Sequence, residues 1–156
     1  MEDVPTDPDA PEGAPMSTTT MAALARTAEP QAMLRRFLAL DAAVTGANAL
    51  AYLALSGPLG RFLGAGSRTL LALGAFLAAY AVAVALLAAR RRPPALGVRA
   101  VVEANLAWAA VSVAALALWL TPTPAGAVWT VLQALVVTGF ALLQHLALRQ
   151  RQATAD

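Results

Sequence analysis

The sequence predicts an all-α fold: four transmembrane helices in an up-down-up-down bundle with both termini cytoplasmic. Three observations predict it. Four apolar runs of 19 to 24 residues follow one another, only 13% of residues are charged, and the arginines gather on one side of the runs. Soluble domains carry about 25% charged residues and need more polar surface than this chain provides. A mean hydropathy of +0.63 points the same way.

Residues 1–30 stand apart. Pro5, Pro8, Pro11 and Pro15 lie among Glu2, Asp3, Asp7, Asp9 and Glu12. Proline at that density opposes regular helix, and little apolar surface is available to bury. The segment reads as a disordered acidic tail, without the basic start and apolar run of a signal peptide. Met16, Met21 and Met33 offer later start positions. The four-helix domain then occupies residues 31–150, and a short cytoplasmic tail, 151–156, follows it.

The first helix is expected over 37–56, where FLALDAAVTGANALAYLAL follows Arg35 and Arg36 and ends at Gly57-Pro58. At ~1.5 Å per residue such a run nearly crosses a ~30 Å hydrocarbon layer. The second, 69–89, carries no charge and no polar face, and closes on three arginines and Pro93-Pro94. An alanine-rich soluble helix would keep one wet face, so this run argues against a soluble bundle. The third, 100–120, ends at Thr121-Pro122-Thr123-Pro124, and the fourth, 125–148, leads to Arg149 and Arg151. In lipid the backbone must satisfy its own hydrogen bonds, which selects helix.

Arg26, Arg35, Arg36, Arg90, Arg91, Arg92, Arg99, Arg149 and Arg151 fall on one side of the runs, against Arg61 and Arg68 on the other. This excess predicts a multi-pass protein of the plasma (inner) membrane with its termini in the cytoplasm. The loop 59–66 would rest Phe62 and Leu63 at the opposite interface. Trp119 and Trp129 read as interfacial anchors, and Trp108 as a deeper packing residue with a polar partner for its indole nitrogen.

Asp41, Thr45, Asn48 and Tyr52 are spaced by four, three and four, which places them on one face of the first helix. An unpaired polar group in hydrocarbon costs several kcal/mol, on the order of 2–7. The stripe should therefore face the bundle interior, toward Asn105 and Ser112 of the third helix and Gln133 and Gln144 of the fourth. Asp41 and Asn48 are seven residues apart, as are Asn105 and Ser112, a weak sign of duplicated hairpins. Glu103 lies near an interface where Arg36 or Arg99 could neutralise it, and Asp41 could itself reach the headgroups or pair with Arg36. Ala42 with Gly46, and Ala110 with Ala114, form small-xxx-small pairs that permit close helix approach.

Several chemistries are excluded or unsupported. No cysteine is present, which removes disulfides and thiolate sites. The single histidine, His145, cannot build a multi-histidine metal site, and it reads as snorkelling near Arg149. Neither a phosphate-binding loop with its lysine nor HExxH occurs. A net charge of +2 gives no footprint for nucleic acid. No catalytic set, cofactor or metal is expected, and the partners expected are membrane lipids with a second copy or another membrane protein.

The segment DAAVTGANALAYLALSGPLG, residues 41–60, resembles small actinobacterial integral membrane proteins. VVEANLAWAAVSV (101–113) and GAVWTVLQALVVTGFALLQ (126–144) are similar to them too. The resemblance implies a four-helix membrane protein and carries no established activity. Small multidrug exporters share only the architecture: they use a glutamate within their first helix, where this chain has Asp41.

Three readings of function remain open, and the interior distinguishes them. A dry, closely packed interior fits a non-enzymatic bundle that assembles with itself or another membrane protein. A water-filled pocket reaching Asp41 fits a small oligomeric transporter or channel. An apolar groove open to lipid beside polar side chains fits a membrane enzyme acting on a lipid or quinone.

Overall fold

The computed structural model describes residues 18–118 and 121–153, with side chains from residue 30 onward. Among these residues the fold is all helical: α1 (Thr18–Ala54), α2 (Ser56–Leu63), α3 (Ser67–Ala89), α4 (Ala95–Leu118) and α5 (Pro124–Ala153). Four segments are long and apolar enough to cross a membrane: Pro30–Ala54, Ser67–Ala89, Ala95–Leu118 and Pro124–Ala153. These match the four runs read from the sequence, and they make the chain compatible with a multi-pass membrane protein.

The boundaries differ in four places: besides the three below, α5 runs on to Ala153, five residues past its expected end and into the expected tail. α1 starts at Thr18, so residues 18–30, assigned from sequence to the disordered tail, are helical backbone. No proline interrupts the stretch between Pro15 and Pro30, and Met21–Arg26 is rich in good helix formers. Pro30 lies inside α1 and removes one backbone N–H from its ladder. The rest of the expected tail, residues 1–17, lies outside the described residues, as do 119–120 and 154–156. α4 starts five residues earlier than expected, directly behind Pro94, whose carbonyl accepts from Val98 N–H at 3.1 Å.

The third difference is α2, where a loop is expected. Pro58 sits in its first turn, where a missing N–H costs nothing to the ladder. The helix ends at Gly64, whose φ of +74° is left-handed and whose N–H returns to the Gly60 carbonyl. Such a C-terminal cap favours glycine because a Cβ is strained there. Leu63 is buried, while Phe62 stays exposed. At the same end, Thr123 N–H donates to the Leu63 carbonyl at 3.3 Å, and Thr123 Oγ1 donates to the Phe62 carbonyl at 2.6 Å. Thr123 Oγ1 also accepts from Gly126 N–H at 3.1 Å, so Thr123 followed by Pro124 forms the N-cap and first position of α5.

α1 packs extensively on α3 and also on α5, α4 packs on α5, and α2 packs against α3 and α5. α3 and α4 approach only slightly, and the backbones of α1 and α4 stay apart. Gly46 and Ala81 mark the close approach of α1 and α3: a Cβ on Gly46 would lie 3.7 Å from that of Ala81. Ala110 and Ala114, by contrast, are exposed on α4.

The interior is layered. One apolar cluster joins Leu34 and Leu38 to Val84, Val98 and Leu148. A second joins Ala49 and Tyr52 to Leu63, Leu70 and Leu77. Near the first, Arg35 Nε donates to the Ala88 carbonyl at 2.9 Å, and Arg151 Nη1 donates to the Pro93 carbonyl at 2.6 Å. The outward faces are apolar as well: Leu50, Leu86, Leu96 and Leu118 are at least 65% exposed. A soluble monomer does not spread large apolar side chains over every helix in this way, whereas hydrocarbon solvates them.

Candidate functional site

Between the two apolar clusters lies a polar layer centred on Asp41, whose side chain has no exposed surface. Its Oδ2 accepts from Asn105 Nδ2 and from Gln144 Nε2, each at 2.8 Å, and its Oδ1 accepts from Thr45 Oγ1 at 3.3 Å. The Tyr80 hydroxyl donates to Asn105 Oδ1 at 3.0 Å. One layer thus joins α1, α3, α4 and α5. Hydrogen bonds to a carboxylate are stronger than those between neutral groups, about 1.5–3 kcal/mol each. Among the described residues, Gln144 Oε1 is the buried side-chain polar atom without a hydrogen-bond partner.

A second polar group lies one to two turns further along α1. Asn48 Nδ2 donates to Gln133 Oε1 at 2.9 Å, and Gln133 Nε2 donates to the Tyr52 hydroxyl at 2.7 Å. Trp129 Nε1 donates to the same hydroxyl at 2.8 Å. These bonds join α1 to α5.

A cavity of about 560 Å³ lies beside the two groups, with Asn105 and Trp108 of α4 among its lining residues. Thr45, Tyr80 and Asn105 form its floor, and Asn48, Tyr52, Gln133 and Trp129 form its polar wall. Leu77, Trp108, Phe62 and Leu63 complete an otherwise apolar lining. Val44, Leu132 and Val136 belong to the lining and are 46%, 50% and 46% exposed, so they form a rim between α1 and α5. All three sit well inside membrane-spanning segments. Among the described residues no charged side chain lines the cavity, and Asp41 is held behind its floor. Its volume falls in the range of small-molecule sites, roughly 300–1,000 Å³.

The expected stripe is therefore brought inward, but it divides. Asp41 and Thr45 meet Asn105 and Gln144, while Asn48 and Tyr52 meet Gln133. Ser112 is half-buried and Glu103 is exposed, and neither joins these groups. The alternative places for Asp41, at a headgroup or paired with Arg36, are not adopted: Asp41 is sealed inside and Arg36 is exposed. His145 is exposed near the end of α5. Trp129 is partly exposed near the start of α5, and its indole nitrogen donates to Tyr52. Trp108 stacks on Phe76 with ring centroids 5.7 Å apart, rather than being held by a polar partner. Trp119 lies outside the described residues.

Sequence reasoning misses Tyr80. The signal available is a phenol within a run that is otherwise apolar, because a buried hydroxyl in hydrocarbon needs a partner. Among the described residues no cluster of histidine, cysteine or carboxylate side chains could hold a metal ion.

No protein-family model matches the chain, and comparisons with curated proteins and with solved structures returned no match, so its function has to be read from the geometry.

Proposed function

We propose that this protein is a membrane bundle that binds a small apolar molecule drawn sideways from the bilayer. The single observation that carries this reading is the cavity whose rim, Val44, Leu132 and Val136, lies within the spanning segments while its inner wall is polar. An apolar lining favours a ligand already dissolved in hydrocarbon, and a few polar groups orient it. The arginine distribution supports insertion in the plasma membrane with both termini cytoplasmic. The exposed Ala110 and Ala114 on α4 support assembly with a second copy or another membrane protein, since small side chains let helices approach closely.

Transport through Asp41 is the weaker reading. Its carboxylate is occupied by three donors and held behind the floor, so a passing ion would have to dismantle the layer that joins four helices.

The test is extraction of the full chain from its own membranes into lipid-retaining polymer discs, followed by intact-mass spectrometry. Ala51 lines the cavity, and Ala51→Phe would fill part of it. A near-stoichiometric apolar molecule on the unaltered protein, lost in the variant, is the expected result. Identical spectra without any such molecule would overturn the reading.

A further inference from the structure

The two polar groups differ in how many of their hydrogens are committed, and this difference specifies the ligand. At the floor, the Thr45 hydroxyl and one Asn105 N–H hold Asp41, and the Tyr80 hydroxyl holds Asn105. The wall is different. Asn48 and Gln133 carry two amide N–H hydrogens each, and Tyr52 and Trp129 carry one donor hydrogen each. The three hydrogen bonds among these four side chains use one hydrogen apiece. Half the donor hydrogens of the wall therefore lack an acceptor within the group. Turning both amides over changes which ones they are, not how many: Tyr52 would then donate to Gln133, and both Asn48 N–H groups would be left.

Tyr52 is 5% exposed, and the other three side chains line the cavity beside it. A donor without an acceptor in hydrocarbon is unfavourable. The geometry points to a ligand that brings a hydrogen-bond acceptor to this wall. It should also be neutral, because among the described residues no charged side chain lines the cavity. We propose that the site takes a neutral, apolar, carbonyl-bearing molecule, its carbonyl oxygen set against Asn48, Tyr52 and Gln133 and its apolar body against Trp108 and Leu77. Two membrane-soluble sources present this chemistry, a quinone ring and a diacylglycerol ester. This inference rests on the binding role proposed above and adds the ligand's class.

The experiment uses the full chain in lipid nanodiscs and follows tryptophan fluorescence as a short-chain alkyl benzoquinone is added. The matched alkylbenzene, which lacks both carbonyls, and a short-chain diacylglycerol then compete with it. Saturable quenching is expected, with the alkylbenzene competing at least tenfold more weakly than the quinone competes with itself. Competition by diacylglycerol equal to that of the quinone assigns the carbonyl to a lipid ester, and its failure assigns it to a ring; either supports the proposal. In a Tyr52→Phe/Gln133→Met variant the tenfold preference should fall to about twofold or less. Equal competition by the alkylbenzene in the unaltered protein would overturn the carbonyl requirement while leaving an apolar site. Absence of saturable binding by any of the three would overturn the binding role itself. The comparison on unaltered protein decides the matter even if the variant does not fold.

Discussion

Asn105 on α4 donates to Asp41 on α1 over 2.8 Å, although the backbones of these two helices never approach each other. The side chains bridge a gap that α3 and α5 hold open, Tyr80 steadying Asn105 and Gln144 sharing the same carboxylate oxygen. The Asp41 layer thus ties together helices that apolar packing alone leaves apart. The cavity lies in the space beside that tie.

Asp41→Leu should destabilise the bundle by about 2–4 kcal/mol, because it leaves the Asn105 and Gln144 amides without an acceptor. Asp41→Asn should cost about half as much or less, since Gln144 can turn its unpartnered Oε1 to accept from the new amide. Reversible unfolding in mixed detergent micelles reads both. A loss below about 0.5 kcal/mol in the leucine variant would mean that the layer does not hold the helices together.

Tyr80→Phe and Asn105→Leu should be non-additive. Each removes the same 3.0 Å hydrogen bond, so a double-mutant cycle should return a coupling of about 1 kcal/mol. A coupling near zero would show that the phenol does not steady Asn105 and that its hydroxyl serves the Val101 carbonyl, 3.4 Å away, instead.

Gly126→Ala should be harmful and Gly139→Ala tolerated. A Cβ on Gly126 would run into the Leu63 carbonyl, whereas nothing lies within 4 Å of one on Gly139. The first should cost about 1–3 kcal/mol through displacement of α2, and the second should stay within about 0.5 kcal/mol. Thermal midpoints by circular dichroism compare them directly.

Thr123→Ala removes the N-cap of α5 together with its bond to the Phe62 carbonyl, and should cost about 1–2 kcal/mol. Thr123→Ser keeps the hydroxyl and should recover most of the loss. Protease sensitivity after residue 63 should rise in the alanine variant alone, because only the Thr123 N–H bond to the Leu63 carbonyl then links the end of α2 to the start of α5.

The four spans and most of the polar positions are legible in the sequence. Hydropathy over about 20 residues is a local property, and the 3.6-residue period places Asp41, Thr45, Asn48 and Tyr52 on one face whatever surrounds them. α2 was less legible, since Gly57, Pro58 and Gly60 carry turn signals, and the helix is held by contacts of Leu63 with segments far along the chain. Helix packing settles the rest: the stripe splits, Asp41 meets Asn105 and Gln144 while Tyr52 meets Gln133 and Trp129, and Glu103 and Ser112 stay outside. Those pairings depend on how far each helix is rotated and shifted against its neighbours. Small changes in such angles carry a side-chain tip several ångströms, and an alanine-rich surface leaves no periodic pattern from which the angles could be read.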